Sequence, residues 1–207
     1  MEPQWLTYSK RLQAIASSGL HFARDQFDRE RYEEIALIAN EMLAKLGNVP
    51  IERIEGLISD FARGYATPKV DVRGAIVEGN KVLLVREKSD GLWALPGGFA
   101  EIGLSAARNI EKELYEEAGL KVSVSRLYGV RHKANASYSP DVREFYKMFF
   151  LCDPLPGQKV QPTSETSEAA FFPRDQLPPL SRGRTIESDV EAAFAFATDM
   201  NRPAFFD

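Results

Sequence analysis

Cysteine and histidine are scarce: the chain has one cysteine, Cys152, and two histidines, His21 and His132, far apart in sequence. A lone cysteine makes no internal disulfide, and no His/Cys spacing of the kind that holds zinc occurs. Cys152 closes the apolar run Phe149-Phe150-Leu151-Cys152, so a small buried thiol is expected there, not a reactive one. No apolar run reaches the roughly 18 residues a membrane helix needs. The first residues, Met1-Glu2-Pro3-Gln4-Trp5, lack a basic stretch followed by an apolar core. No secretion signal is read there, and a cytoplasmic location is the expectation, with no membrane partner. Positive charge is not in excess either: Lys and Arg number 26 against 30 Asp and Glu, a net charge of -4. Bulk attraction for nucleic acid is thereby excluded, so a phosphate-bearing ligand must be held by a local arrangement.

What is present is ordinary for a folded chain. Its 207 residues, 44% hydrophobic and 27% charged, suit one average domain plus a small one, or a single large one. Trp5, Leu6, Leu12, Ile15 and Ala16 recur at helical spacing and predict a helix that stops at Gly19. A second helix fits Asp28 to Leu46, with Asp28 as its cap, Gly47 as its end and Tyr32, Ile35, Ala36, Ala39, Met42 and Leu43 on one side. A third fits Ile51 to Phe61. Gly64 to Pro68 breaks the pattern and separates a helical N-terminal domain, 1–66, from the remainder, 67–207. Beyond it the period becomes extended: Val70 to Val77 and Lys81 to Arg86 read as strands joined by a Glu78-Gly79-Asn80 turn. Strands also fit Val122 to Arg131, Phe145 to Cys152 and Ala169 to Phe172, and a last helix fits Ile186 to Ala197. Strands on both sides of a central helix, Ser105 to Ala118, point to an α+β fold with helices packed on a mixed sheet. Residues 133–143 read as a long polar loop, a usual place for substrate contacts.

The stretch richest in chemistry is Pro96-Gly97-Gly98 followed by that central helix. Glu113, Glu116 and Glu117 stand at i, i+3 and i+4, which brings three carboxylates to one side of a helix. Like charges so placed repel by roughly 0.2–0.5 kcal/mol per pair. A divalent cation among them removes that cost, and hard oxygen ligands suit magnesium or manganese. Gly97 and Gly98 permit backbone conformations that side chains forbid, so the chain can pass close to the helix and to a ligand. The Gly97 carbonyl is a candidate further ligand. A Glu-rich helix is more often a solvated face; the paired glycines ahead of it and the stop at Gly119 are what favour a site.

Gly98 to Leu120 resembles the Nudix box. Of the nine specified positions of that motif, seven match: Gly98, Glu113, Leu114, Glu116, Glu117, Gly119 and Leu120. Leu104 stands where the family has its first glutamate, and Lys112 where it has arginine. Lysine keeps the charge without the planar fork of donors, and leucine binds no metal. Gln13-Ala14-Ile15-Ala16, Gly19-Leu20, Phe27 to Tyr32, Val72-Arg73-Gly74-Ala75, Leu84 to Glu87, Glu165 to Phe172 and Leu177 to Ser181 are similar to a bacterial Nudix subgroup with a helical N-terminal domain. The resemblance to that subgroup covers nearly the whole chain and implies that both departures are features of the subgroup.

The resemblance implies a Nudix-type α/β/α sandwich behind a small all-α domain that dimerises the chain and shapes the pocket. It implies Mg2+-dependent hydrolysis of a nucleoside diphosphate linked to another group, of the ADP-ribose or CDP-choline class, with Mn2+ as an alternative metal. Glu113 and Glu117, one turn apart, are the expected metal ligands, with Glu116 at a second metal or holding a water. Glu116, Glu117, Glu165 and Glu168 are the candidate catalytic carboxylates, the last two from a loop ahead of a strand. Arg73 and Arg86 are candidates for phosphate contact or a subunit interface, with Gly98 close to the substrate. Trp93 and Tyr138 are candidates for stacking on a base, and buried packing competes for Trp93. Two rival readings remain at this level: a Nudix fold that binds a ligand without catalysis, on the strength of Leu104 and Lys112, and an interaction protein whose Glu helix is only a solvated face.

Overall fold

A computed structural model describes residues 2–48, 65–161 and 163–207. It divides into two compact units, Met1–Lys69 with Ser139–Phe145, and Val70–Tyr138 with Tyr146–Asp207. The third expected helix, 51–61, lies outside the described residues.

In the first unit, α1 spans Gln4–Phe22 and α2 spans Gln26–Gly47. The cap of α2 is Asp25, not Asp28: its carboxylate accepts from the Asp28 N–H at 3.0 Å. Asn48, left-handed at φ 50°, ends it one residue past the expected glycine. Gly19 does not stop α1. A β-carbon there would stand 2.4 Å from the Tyr32 ring, so this glycine is where α2 crosses closely over α1. Leu6 and Leu43 are buried together with Val142 against them. Lys10 is buried between Glu2 at 2.6 Å and Glu144 at 3.1 Å. No described helix is long and apolar enough to cross a membrane.

The second unit holds two four-stranded sheets. The first has the order β1 (Lys69–Ala75), β6 (Phe145–Pro154), β5 (Val122–His132), β8 (Phe205–Phe206). The second joins β2 (Val77–Glu78), β3 (Lys81–Glu87) and β4 (Trp93–Ala94), with β7 (Thr166–Pro173) on β3. The pair β5–β8 is parallel and β5–β6 antiparallel, which makes the first sheet mixed. The expected hairpin is present, with Val77 opposite Val82 and Gly79 at φ 59°. β8 was not legible, being two residues whose pairing partner lies far upstream.

Helices cover the sheets on opposite sides. α3 (Ala106–Ala118) buries Ile110, Leu114 and Ala118 against Val72, Ile76, Leu83, Val85 and Phe150. α4 (Glu187–Thr198) buries Val190, Ala193, Phe194 and Phe196 against Ala75, Leu84, Tyr128 and Phe149. This is the α/β/α layering expected of the chain. Each fully buried Ile or Leu of α3 contributes roughly 1.5–3 kcal/mol. Gly74 on β1 admits the helix: a β-carbon there would meet Ile110 and Leu114, each at 2.9 Å.

Candidate active site

The site is built around α3. Ser105 caps its start by accepting from the Arg108 N–H at 3.2 Å, and Gly119 ends it at φ 67°. With Ile110 and Leu114 turned to the sheet, Glu113 and Glu117 fall on the flank of the buried stripe and Glu116 farther out.

The helix's last four carbonyls, Tyr115 to Ala118, have no partner within the helix itself. Gly119 N–H donates to Tyr115 at 3.0 Å, and Leu120 N–H donates one residue further back, to Leu114, at 3.2 Å. The Thr163 hydroxyl donates to Glu116 O, the Thr166 hydroxyl to Glu117 O at 2.5 Å, and Gln161 N–H to Ala118 O at 3.0 Å. The segment ahead of β7 is thus fastened to the helix end. That places Glu165 beside α3: one oxygen each from Glu113, Glu116 and Glu165 lie within 4.8 Å of one another. Thr163 and Thr166 were missed in the sequence because a lone threonine before or at the start of a strand carries no local signal.

The Pro96-Gly97-Gly98 bend closes over the same flank. It pairs with β1 through Gly74 N–H to Pro96 O at 2.9 Å and Val72 N–H to Gly98 O at 2.8 Å. Gly97 sits at φ 137°, and a β-carbon would lie 2.0 Å from Val72 O. Its N–H donates to Glu117 Oε2 at 2.7 Å. At Gly98 a β-carbon would lie 2.7 Å from Glu113 Oε1, so the glycine is a cradle for that carboxylate. Glu117 is not among the three clustered acids; it lies deeper, 7% exposed and held by Gly97.

Burial pushes the Glu113 carboxyl up to about 7 and that of Glu117 to about 8. Arg73 opposes both shifts, and the Gly97 N–H also opposes that of Glu117. The Arg73 guanidinium is itself buried. It donates to Asp71 from Nε at 2.8 Å and Nη2 at 2.9 Å, and to Leu95 O at 3.0 Å. Lys147, also buried, donates to Asp71 at 2.8 Å. Burial raises the Asp71 carboxyl, and the two cations more than reverse it, leaving Asp71 well below the usual carboxylate range. Burial also brings the Lys147 ammonium down to about 8, against the pull of Asp71.

The other expected residues are more scattered. Arg86 donates to Gly91 O at 2.8 Å and pairs with Glu168 at 2.9 Å, opposite it in the β3–β7 ladder. Glu168 is therefore not in the acidic cluster. Tyr138, a candidate for stacking on a base, is buried: its hydroxyl donates to Asp189, at 2.7 and 2.6 Å from the two oxygens, and its ring lies 5.3 Å from Lys147 Nζ. Trp93 is buried and packs edge-on against Phe172. Leu104 is 42% exposed, and Lys112 reaches Glu101 at 2.7 Å and Glu116 at 3.1 Å. Of the expected loop 133–143, residues 139 onward belong to the first unit and Lys133–Asn135 form a 3-10 turn.

A divalent cation fits this donor set. All side-chain ligands are carboxylate oxygens, three of them converge, two carboxyls are left short of charge compensation by burial, and a glycine leaves room beside Glu113.

Comparison with known proteins identifies the family of this fold. Residues 68–194 match the NUDIX domain, and residues 3–58 match a UDP-X-like, N-terminal oligomerisation domain. The chain is 44% identical over 207 residues to a putative ADP-ribose pyrophosphatase, YjhB, of Bacillus subtilis (strain 168), covering 100% of this chain and 99% of that one. It is similar in structure to a UDP-X diphosphatase, at 37% identity and a TM-score of 0.63 over 98% of both chains. An ADP-ribose pyrophosphatase from Streptococcus suis matches at 38% identity and a TM-score of 0.62, over 68% of this chain and all (100%) of that one. The chain belongs to the Nudix hydrolase family, with the helical N-terminal domain of its UDP-X-like members.

Proposed function

We propose that the chain hydrolyses the phosphoanhydride bond of a nucleoside diphosphate carrying a second group, with Mg2+ or Mn2+ as its metal. The observation that carries this is the convergence of Glu113, Glu116 and Glu165 beside the Gly97-Gly98 bend. A divalent cation, when bound, supplies charge neutralisation of the diphosphate and acidifies a water. Glu113 and Glu116 hold it, and Glu117 is the deeper ligand, fixed by the Gly97 N–H; the Gly97 carbonyl is the weakest of the candidates. Glu165 is the base we favour over Glu168: it is exposed and stands at the cluster, able to take a proton at its carboxylate, whereas Glu168 is committed to Arg86. Arg73 stands behind the carboxylates as a fixed positive charge. Among substrates, ADP-ribose is favoured over CDP-choline, because both the Bacillus subtilis and Streptococcus suis relatives carry that name.

We also take the chain to be a homodimer joined through its N-terminal helices. Trp5, Ile15, Phe22 and Phe27 are 65%, 55%, 65% and 71% exposed, which is a large apolar surface to leave in water.

The test is product analysis by mass after incubation with ADP-ribose, CDP-choline, UDP-sugars and NADH, with and without Mg2+. Glu117→Gln should keep the fold and lose turnover on the order of a hundredfold or more, since losing a metal-held charge removes several kcal/mol of transition-state stabilisation. Undiminished turnover in that variant, or hydrolysis that ignores chelation, removes the reading.

A further inference from the structure

Lys112 sits between two carboxylates. Its Nζ lies 2.7 Å from Glu101 Oε1 and 3.1 Å from Glu116 Oε2. Glu116 is one of the three converging acids, so an ammonium on it competes with a cation for that carboxylate's charge. The neighbour four residues back is ordinary helical spacing. The partner from outside the helix is not, and it is built into place. The Glu101 N–H donates to Asn109 Oδ1 at 2.8 Å, and Asn109 is 1% exposed. The Asn109 amide donates in turn to Ser105 O at 3.2 Å and to Glu101 O and Leu104 O at 3.4 Å. A single buried amide thus clamps the 101–105 turn onto α3 and fixes the backbone from which Glu101 reaches Lys112. Leu104, in the same turn, has no group to offer an ammonium.

We propose that Glu101 is a positioning residue that holds the Lys112 ammonium off Glu116, leaving that carboxylate open to the metal. This rests on the divalent-cation reading of the cluster. It gives the Lys112 of this chain a defined role: its charge is shared with a carboxylate outside the metal site, and moves wholly to Glu101 when Glu116 is engaged. With Glu101 neutralised, the ammonium turns to Glu116 and must be displaced each time a cation enters.

Calorimetric titration of Mn2+ into four chains separates this from simple loss of a nearby negative charge. They are the wild-type chain, Glu101→Gln, Lys112→Met and the double variant, each first checked for unchanged thermal unfolding. Glu101→Gln should weaken Mn2+ binding by about two- to fivefold, the range expected of an exposed ion pair. In the Lys112→Met background the same substitution should change the affinity hardly at all. Equal weakening in both backgrounds means Glu101 acts on the cation directly and overturns the proposal, as does unaltered binding in Glu101→Gln. A wild-type chain that takes up no Mn2+ fails the cation reading itself, which the other outcomes leave standing.

Discussion

Gly97 and Gly98 are adjacent, yet the structure asks different things of them. At Gly97 a side chain would meet backbone, Val72 O at 2.0 Å, in a conformation at φ 137° that L-residues rarely adopt. At Gly98 the nearest atoms it would meet are those of the Glu113 carboxylate, the far end of a flexible side chain. Gly97→Ala is therefore expected to cost stability, about 1–3 kcal/mol or more, measured by urea unfolding. Gly98→Ala should leave the unfolding midpoint nearly unchanged and weaken Mn2+ binding, read by calorimetry. Asp71 belongs to a third kind. Asp71→Ala leaves Arg73 and Lys147 buried without their shared anion, and should lose about 3–5 kcal/mol in the same urea experiment. Both glycines stand out in the sequence, but the difference between them lies in what approaches from across the fold. Tyr138 shows the same limit: its polar loop suggests a ring that stacks on a base, whereas Asp189, far along the chain on α4, takes its hydroxyl inside.

At the scale of an element, α3 was the most legible part of the chain. Its expected span, Ser105 to Ala118, and its glycine stop lie within one short stretch, and the structure has the helix at Ala106–Ala118 with Ser105 as its cap and Gly119 as its end. α1 was less so: Gly19 has the look of a terminator, and only the presence of Tyr32 on a neighbouring helix reveals a contact instead. Glu165 was read as a candidate catalytic carboxylate on a loop, but its place beside α3 was not legible, because the threonines that bring it there act across about 50 residues. Thr166→Val should therefore act at a distance. It removes the donor to Glu117 O, costing about 1 kcal/mol in unfolding free energy. Through the loosened loop it should also lower kcat more than it raises KM for the hydrolysed nucleotide, in steady-state assays.

For the whole molecule, the burial of Glu113 and Glu117 links stability, acidity and metal. Both carboxyls titrate above their ordinary 4.5, at about 7 and about 8, so the metal-free fold binds protons more tightly than the unfolded chain does. The stability they contribute is fully present below about 4.5 and is lost as pH rises through about 7 to 8. The unfolding temperature of metal-free protein should accordingly fall as pH rises from about 4.5 to about 8. Saturating Mg2+ should abolish that fall, because the cation takes the deprotonated forms and expels the protons. Glu117→Gln should flatten the metal-free profile, measured by calorimetric scanning. Assembly is tested at the same scale: light scattering should give a dimer for the full chain and a monomer for a chain beginning at Pro68.

Fastening the Glu165 loop to the tail of α3 has a consequence in time as well as in space. Glu113 and Glu116 come together as soon as one helix coils, within a stretch that needs nothing distant. The third acid arrives only when β7 has found β3, a non-local pairing that closes late. During refolding in dilute Mn2+, capture of the ion should trail the recovery of helical signal, and the pocket would be the last part of this unit to mature.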